Sequence, residues 1–257
     1  MAEWPKAAVL KSAEGKPSVS STLTVSANKT TGAKCPCSYE NTMIHIFDTE
    51  TTGLKAPGVV EIAWITVDYD LNILSEYRSL VDPEREIEPG AQAVHGITAE
   101  MVQGMPTMDM VAALVEGKIA KGIAHNAPFD KRVVKPWIAV EQTVCTLSLA
   151  RKLIQGTTNH KLETLQKELG LVERDSHTAL GDVLTVRDLL VYMKDKFELN
   201  LELEFARSLK PVMVHKMPFG KHKGKPLATL PPDYRAWLLG QELDENLRFS
   251  LMQLKGI

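Results

Sequence analysis

The chain has 257 residues, 44% hydrophobic and 24% charged, which suits a soluble globular protein with one sizeable core and room for a small second one. A formal charge of −2 and a pI near 6.4 give no global field that would mark a nucleic-acid binder, so any such contact must be local. No apolar run approaches the roughly 20 residues of a membrane span, no secretory h-region opens the chain, and three cysteines cannot form a paired framework, so the expected compartment is the reducing cytoplasm.

Residues 1–42 are rich in Ser, Thr, Lys and Ala without a sustained period of 2 or 3.6, and they read as a disordered extension. Cys35 and Cys37 sit here, without the further clustered ligands that zinc needs. The order of this stretch also resembles a translated serine tRNA gene. Val19 to Thr24 can be back-translated as GTG-AGT-TCG-ACT-CTC-ACC, a self-complementary stem like a tRNA T-arm. The expectation is that translation naturally begins at Met43. A mass measurement of the native protein with Met1 or Ala2 at its N-terminus would overturn it.

Residues 43–198 read as the main domain. "MIHIFD", "GVVEIAWITVDYD" and "LNILSEYRSLVD" are strand-like runs separated by turn residues. "TMDMVAALVEGK" has helical spacing and "IAKGIAHN" is a short apolar strand. Helices are predicted at "PFDKRVV", "TLSLARKLI", "KLETLQKELG", closed by Gly170, and "TALGDVLTVRDLLVYMKDKF". Three strands followed by alternating helices and strands predict an α/β domain with a mixed central sheet. Residues 207–257 read as a smaller, basic module. Its first stretch, "RSLKPVMVHKMPFGKHKGKP", holds six Lys or Arg and no acid, with turns at Gly220 and Gly224. "LPPDYRAWLL" and "ENLRFSLMQL" then read as helices, and the acidic run "ELNLELE" as the junction before the module.

The first strand ends in "FDTETTG". Asp48 and Glu50 occupy alternate positions, so they share one face of the strand and repel each other unless a cation lies between them. Asp130 follows an apolar strand into a helix, and Asp182 lies near the start of another. Four carboxylates from distant segments could converge on a hard cation such as Mg²⁺ or Mn²⁺. Two such ions about 3.5–4 Å apart would activate a water and stabilise a leaving oxygen. The same metal should stabilise a fold strained by like charges.

Composition alone does not establish that convergence. "FDTETTG", "AHNAPFD" and "HTALGD", in this order, resemble the three motifs of the DEDDh exonucleases, with no catalytic position departing. The resemblance implies an RNase H-like fold and removal of nucleotides from 3′ ends. It implies Asp48, Glu50, Asp130 and Asp182 as ligands of two metal ions and His177 as general base, fitting a side chain type with an ordinary pKa near 6.5. His160 competes as base, although a capping or packing role fits it better. His125 is less pressing. His95 either shapes the site or touches substrate, and Asn126 either orders its loop or contacts substrate. Phe129 reads as core ahead of a stacking platform. Thr51 and Thr52 form a turn or meet the terminal nucleotide, against which the resemblance implies Leu54 as a wedge.

"MPFGKHKGKPLATLPPDYRAWLL" and "VDPEREIEPGAQAVHGIT" resemble the exodeoxyribonuclease X branch, over nearly everything from Met43 onward. That branch implies trimming of DNA 3′ ends, single strands preferred, with release of nucleoside monophosphates and a small C-terminal α+β module. Lys216, Lys221, Lys223 and Lys225 would then hold phosphates, salt-dependently. Three alternatives stand beside it: the proofreading subunit of a polymerase, an RNA-trimming exoribonuclease, and a nucleic-acid-binding module without catalysis. Protein partners stay open.

Overall fold

The computed structural model describes residues 43–55, 57–174, 176–210, 213–241, 243 and 245–254. The readings made of residues 1–42, Cys35 and Cys37 included, lie outside them.

Five strands form one mixed sheet: β1 (Ile44–Thr51), β2 (Val59–Val67), β3 (Ile73–Leu80), β4 (Lys118–Ala124) and β5 (Ala139–Cys145), in the order β3-β2-β1-β4-β5. β1, β2 and β3 pair antiparallel, whereas β4 and β5 run parallel to β1. β2 is buried on both faces along its whole length, which is why it reads as a nearly continuous apolar run. β3 is the edge strand, exposed along its first half. Strand β5 was not predicted; its "AVEQTVC" is a polar, short edge strand whose apolar alternation is too weak to stand out.

Helices cover both faces. The short α1 (Pro89–His95), α2 (Ala99–Val102) and α3 (Met108–Ala112) precede β4; α3 falls within the run with helical spacing, whereas α1 buries no residue and α2 only one, which leaves no apolar period to read. Then follow α4 (Ala127–Val134), α5 (Thr146–Leu153), α6 (Leu162–Glu168) and the 19-residue α7 (Ala179–Phe197). Val183, Val186, Leu189, Leu190 and Met193 of α7 pack on Ile44, Ile46, Ile65 and Ile123 of the sheet. Phe47, Ile62 and Trp64 on the opposite face meet Met108, Val111, Val133 and Val134. Helix α6 ends as expected: Gly170 has φ 65°, its N–H donates to Lys167 O, and the Leu171 N–H donates to Gln166 O, a Schellman closure.

The acidic stretch read as a junction is a three-residue connection, 198–200, followed by the start of a helix. Helix α8 (Leu201–Ser208) begins at Asn200, whose side chain accepts from the Leu203 N–H, and buries Leu201 and Phe205 in the sheet's core. Glu202 and Glu204, between them, obscure the i, i+4 spacing of that pair, which packs with the core of the first unit.

The C-terminal module has its own core of Met217, Leu227, Leu230, Leu238, Leu247 and Leu251, supplied in part by α9 (Pro232–Leu239) and α10 (Glu245–Gln253). Its β part is one antiparallel bridge, Lys216–Pro226, closing a loop that turns at Gly220 and Gly224 with φ of 70° and 82°. No helix among the described residues is long and apolar enough to cross a membrane.

Candidate active site

The site forms where β1 ends. Because strand side chains alternate, Asp48 and Glu50 continue the face of Ile44 and Ile46, toward α7, and Thr49 points to the other face. Register places Asp48 beside Ala63 and Glu50 beside Glu61 of β2.

Helix α7 delivers two more groups. Thr178 is its N-cap: its Oγ1 accepts from the Gly181 N–H at 3.2 Å and its carbonyl from the Asp182 N–H at 3.0 Å. Asp182 therefore sits in the first turn. Just before the cap, His177 adopts φ 62°, a left-handed conformation that few non-glycine residues take and that commonly marks a functional constraint. One ligand atom each of Glu50, His177 and Asp182 lie within 4.8 Å of one another. The fourth acid arrives from the opposite side. Asp130, buried in the first turn of α4, accepts a 2.8 Å hydrogen bond from Thr49 Oγ1.

The electrostatics tie these groups together. Burial, and then Asp130, Asp182, Glu50 and Glu61, push the Asp48 carboxyl well above the usual carboxylate range. Burial and the same kind of repulsion raise Glu50 to about 8. Burial raises Asp182 to about 6, opposed by His177, and raises Asp130, opposed by the Thr49 bond. Acids that resist ionising together are short of positive charge. The oxygen-rich donor set, with one imidazole, fits a hard divalent cation.

Beside the acids lies a hollow of about 400 Å³, lined by Glu50, Leu54, Val94, His95 and Phe129 among others. Leu54 projects into solvent, 78% exposed. Thr51 and Thr52 are buried and make turn contacts: Thr51 Oγ1 donates to Gly53 O, and Thr52 Oγ1 accepts from the Gly58 N–H. Gly53 has φ 155°, and a Cβ there would come within 2.3 Å of the Glu88 carboxyl. His95 Nδ1 accepts from the Ile97 N–H at 3.0 Å, so its Nε2–H donates to the Thr51 carbonyl at 3.2 Å. Burial holds this imidazole below its ordinary pKa, in keeping with that neutral tautomer. With both ring nitrogens engaged, His95 shapes the loop. Asn126 takes the left-handed N-cap position of α4 with φ 73°, which orders its turn, and its side chain is exposed.

His160 and His125 are engaged by hydrogen bonds near α5. His160 Nε2 meets the Ile154 carbonyl at 3.1 Å, and His125 bridges the His160 carbonyl and Thr146 Oγ1 at 2.9 and 3.0 Å. Lys216, Lys221, Lys223 and Lys225 are all exposed on the C-terminal module.

Two functional neighbours escaped the sequence reading. Thr49, between the two acids, anchors Asp130. Glu61 is 1% exposed on β2, where Oε1 accepts from Arg78 Nε at 2.6 Å and Oε2 from the Ala179 N–H at 2.8 Å. It thus ties the sheet to the first residue of α7, where an anion is favoured. A glutamate inside the run "VVEIAWITV" was the available signal, since a buried charge demands partners.

The RNase_T family model, described as Exonuclease, matches residues 45–190, a span that holds every one of these acids and His177. The chain belongs to this exonuclease family. It is 31% identical over 218 residues to Exodeoxyribonuclease 10 of Escherichia coli K12, covering 81% of this chain and 97% of that protein. It is 32% identical over 156 residues to the PolC-type DNA polymerase III of Thermotoga petrophila, there covering 56% of this chain and 11% of that one. Among solved structures, Exonuclease X in complex with 5′-overhanging duplex DNA superposes with a TM-score of 0.56 at 32% identity, over 64% of this chain and 99% of that one. A second model, "Putative quorum-sensing-regulated virulence factor", matches residues 206–246, within the C-terminal module and the end of α8. As a member of this exonuclease family the protein is a 3′–5′ exonuclease, a hydrolase of phosphodiester bonds on the RNase H-like fold. The family depends on divalent metal, and Glu50, His177 and Asp182 form a candidate site for it.

Proposed function

We propose that this exonuclease is an exodeoxyribonuclease that trims single-stranded DNA from its 3′ end and releases nucleoside monophosphates, using two Mg²⁺ or Mn²⁺ ions. The observation that carries the reading is the partly buried acid cluster at the end of β1, beside a hollow with an exposed leucine at its rim. The likeness to Exodeoxyribonuclease 10, which extends over nearly that protein's full length, favours DNA and a stand-alone enzyme over a polymerase's proofreading segment.

Asp48, Glu50, Asp130 and Asp182 would hold the metal, which when bound supplies charge stabilisation at the phosphate and lowers the pKa of a water. His177 accepts a proton at a ring nitrogen; its side chain is 47% exposed, so it can pass the proton to solvent. Its Nε2 lies 3.9 Å from a Glu163 carboxylate oxygen, a group able to orient the ring. Leu54 and Phe129 give the terminal base an apolar seat, and His95 fixes the carbonyl of Thr51 beside it. Thr51, Thr52 and Asn126 set the backbone that meets the nucleotide.

The test incubates 5′-labelled DNA and RNA of one sequence with Mg²⁺ and the enzyme, with Asp48→Ala as control. A ladder shrinking from the 3′ end, faster on DNA, is expected. Faster trimming of RNA would move the protein to the exoribonucleases, and binding without cleavage would leave a binding module.

A further inference from the structure

The C-terminal module carries a surface that the hydrolytic chemistry does not use. Tyr234 and Trp237, three residues apart on α9, fall on one face of the helix with ring centroids 5.5 Å apart and planes 25° from parallel. Lys221 Nζ stands 5.0 Å over the Tyr234 ring, and the His222 ring meets the same tyrosine edge-on at 4.6 Å. Together with Pro231 and Asp233 these residues line an open hollow of about 650 Å³, within the size range of sites that hold small organic groups. Trp237 is 56% exposed and takes no part in the module's buried core.

We propose that this face is a second contact for single-stranded nucleic acid, in which a base stacks on the exposed Trp237, backed by Tyr234, while Lys221 and its neighbours hold the flanking phosphates. Every base has a flat π face, so a stacking platform beside cations takes single strands of any sequence. The charge matches: residues 207–226 hold six Lys or Arg and no acid. Asp233, the carboxylate in the lining, disfavours a phosphate in the hollow itself, which leaves that place to a base and the lysine side to the backbone. An exonuclease consumes its strand from the 3′ end, so nucleotides held on a separate module lie 5′ of the one being cut. This inference rests on the exonuclease reading above for its ligand, and it assigns the platform to substrate retention, separate from chemistry.

The experiment uses the full chain in EDTA, so that the strand survives, and follows fluorescence anisotropy of a labelled 20-nucleotide oligothymidylate and an abasic strand of equal length. Trp237→Ala should weaken the oligothymidylate by about tenfold and leave the abasic strand unaffected. Trp237→Phe, which keeps an aromatic face, should recover most of the loss, and melting temperature should match wild type for both. Equal affinity of wild type and Trp237→Ala for the oligothymidylate overturns the proposal. So does an equal loss on both strands, which would mean a damaged module or a phosphate contact only, and so does failure of Trp237→Phe to recover binding. The wild-type cleavage ladder decides the exonuclease reading on its own, so the two failures are distinguishable.

Discussion

The end of β1 and the C-terminal loop are opposites. The first concentrates negative charge in burial, on elements locked by a strand register and a helix cap; the second spreads positive charge over exposed lysines on a loop with one β-bridge. Buried like charges are costly and weakly screened, so they demand a bound cation and fixed geometry. Exposed charges cost little, and water and salt screen them. The roles proposed for them follow: chemistry at the first and holding of the strand at the second.

The sharpest test of that contrast is Asp48→Ala. It should reduce turnover of 5′-labelled DNA in Mg²⁺ to background, whereas Lys221→Gln with Lys223→Gln should keep turnover at low salt. Turnover surviving the first change would break the assignment of chemistry to β1.

Next in size is Glu61→Gln, which removes the charge and leaves one oxygen for two donors, so either Arg78 or the Ala179 N–H faces an amide NH2. Partners that orient metal ligands typically matter by about 10–100-fold. The expected result is a fall in kcat of that order together with a higher Mg²⁺ concentration for half-maximal rate. A lower melting temperature with unchanged Mg²⁺ dependence would make Glu61 merely structural.

The lysine pair should act more mildly. Each phosphate contact removed from a single strand flattens the slope of log affinity against log salt by about 0.7. Titrations between low and moderate salt would read this, and an unchanged slope would remove the lysines from the interface.

Smallest is the coupling of metal, pH and stability. Glu50 near 8 and Asp182 near 6 are raised above their ordinary values, so the metal-free fold prefers them protonated. Their cost is absent below the unfolded carboxylate range and grows as pH climbs toward 8. Mg²⁺ should therefore raise the melting temperature by a few degrees, at about 2–4 °C per kcal/mol, and more at pH 8 than at pH 5. Equal shifts at both would count against the charge argument.

Much of this was legible in residue order. Asp48 and Glu50 share a face because strands have a period of two, Gly170 closes α6 because it tolerates a left-handed backbone, and Gly220 and Gly224 turn the basic loop for the same reason. Short or polar elements were not legible: β5 lacks a clean alternation, and α8 hides two buried residues among acids.

The sequence by itself determined the acids, their order and the family they resemble, since local periodicity and motif spacing are written along the chain. Only the tertiary structure decided what surrounds them. That Glu61 faces Glu50 and grips α7, that Thr49 reaches back to Asp130, and that Lys221 stands over Tyr234 are contacts between segments distant in the chain. Their partners are chosen by strand register and helix packing, which no single stretch of sequence encodes.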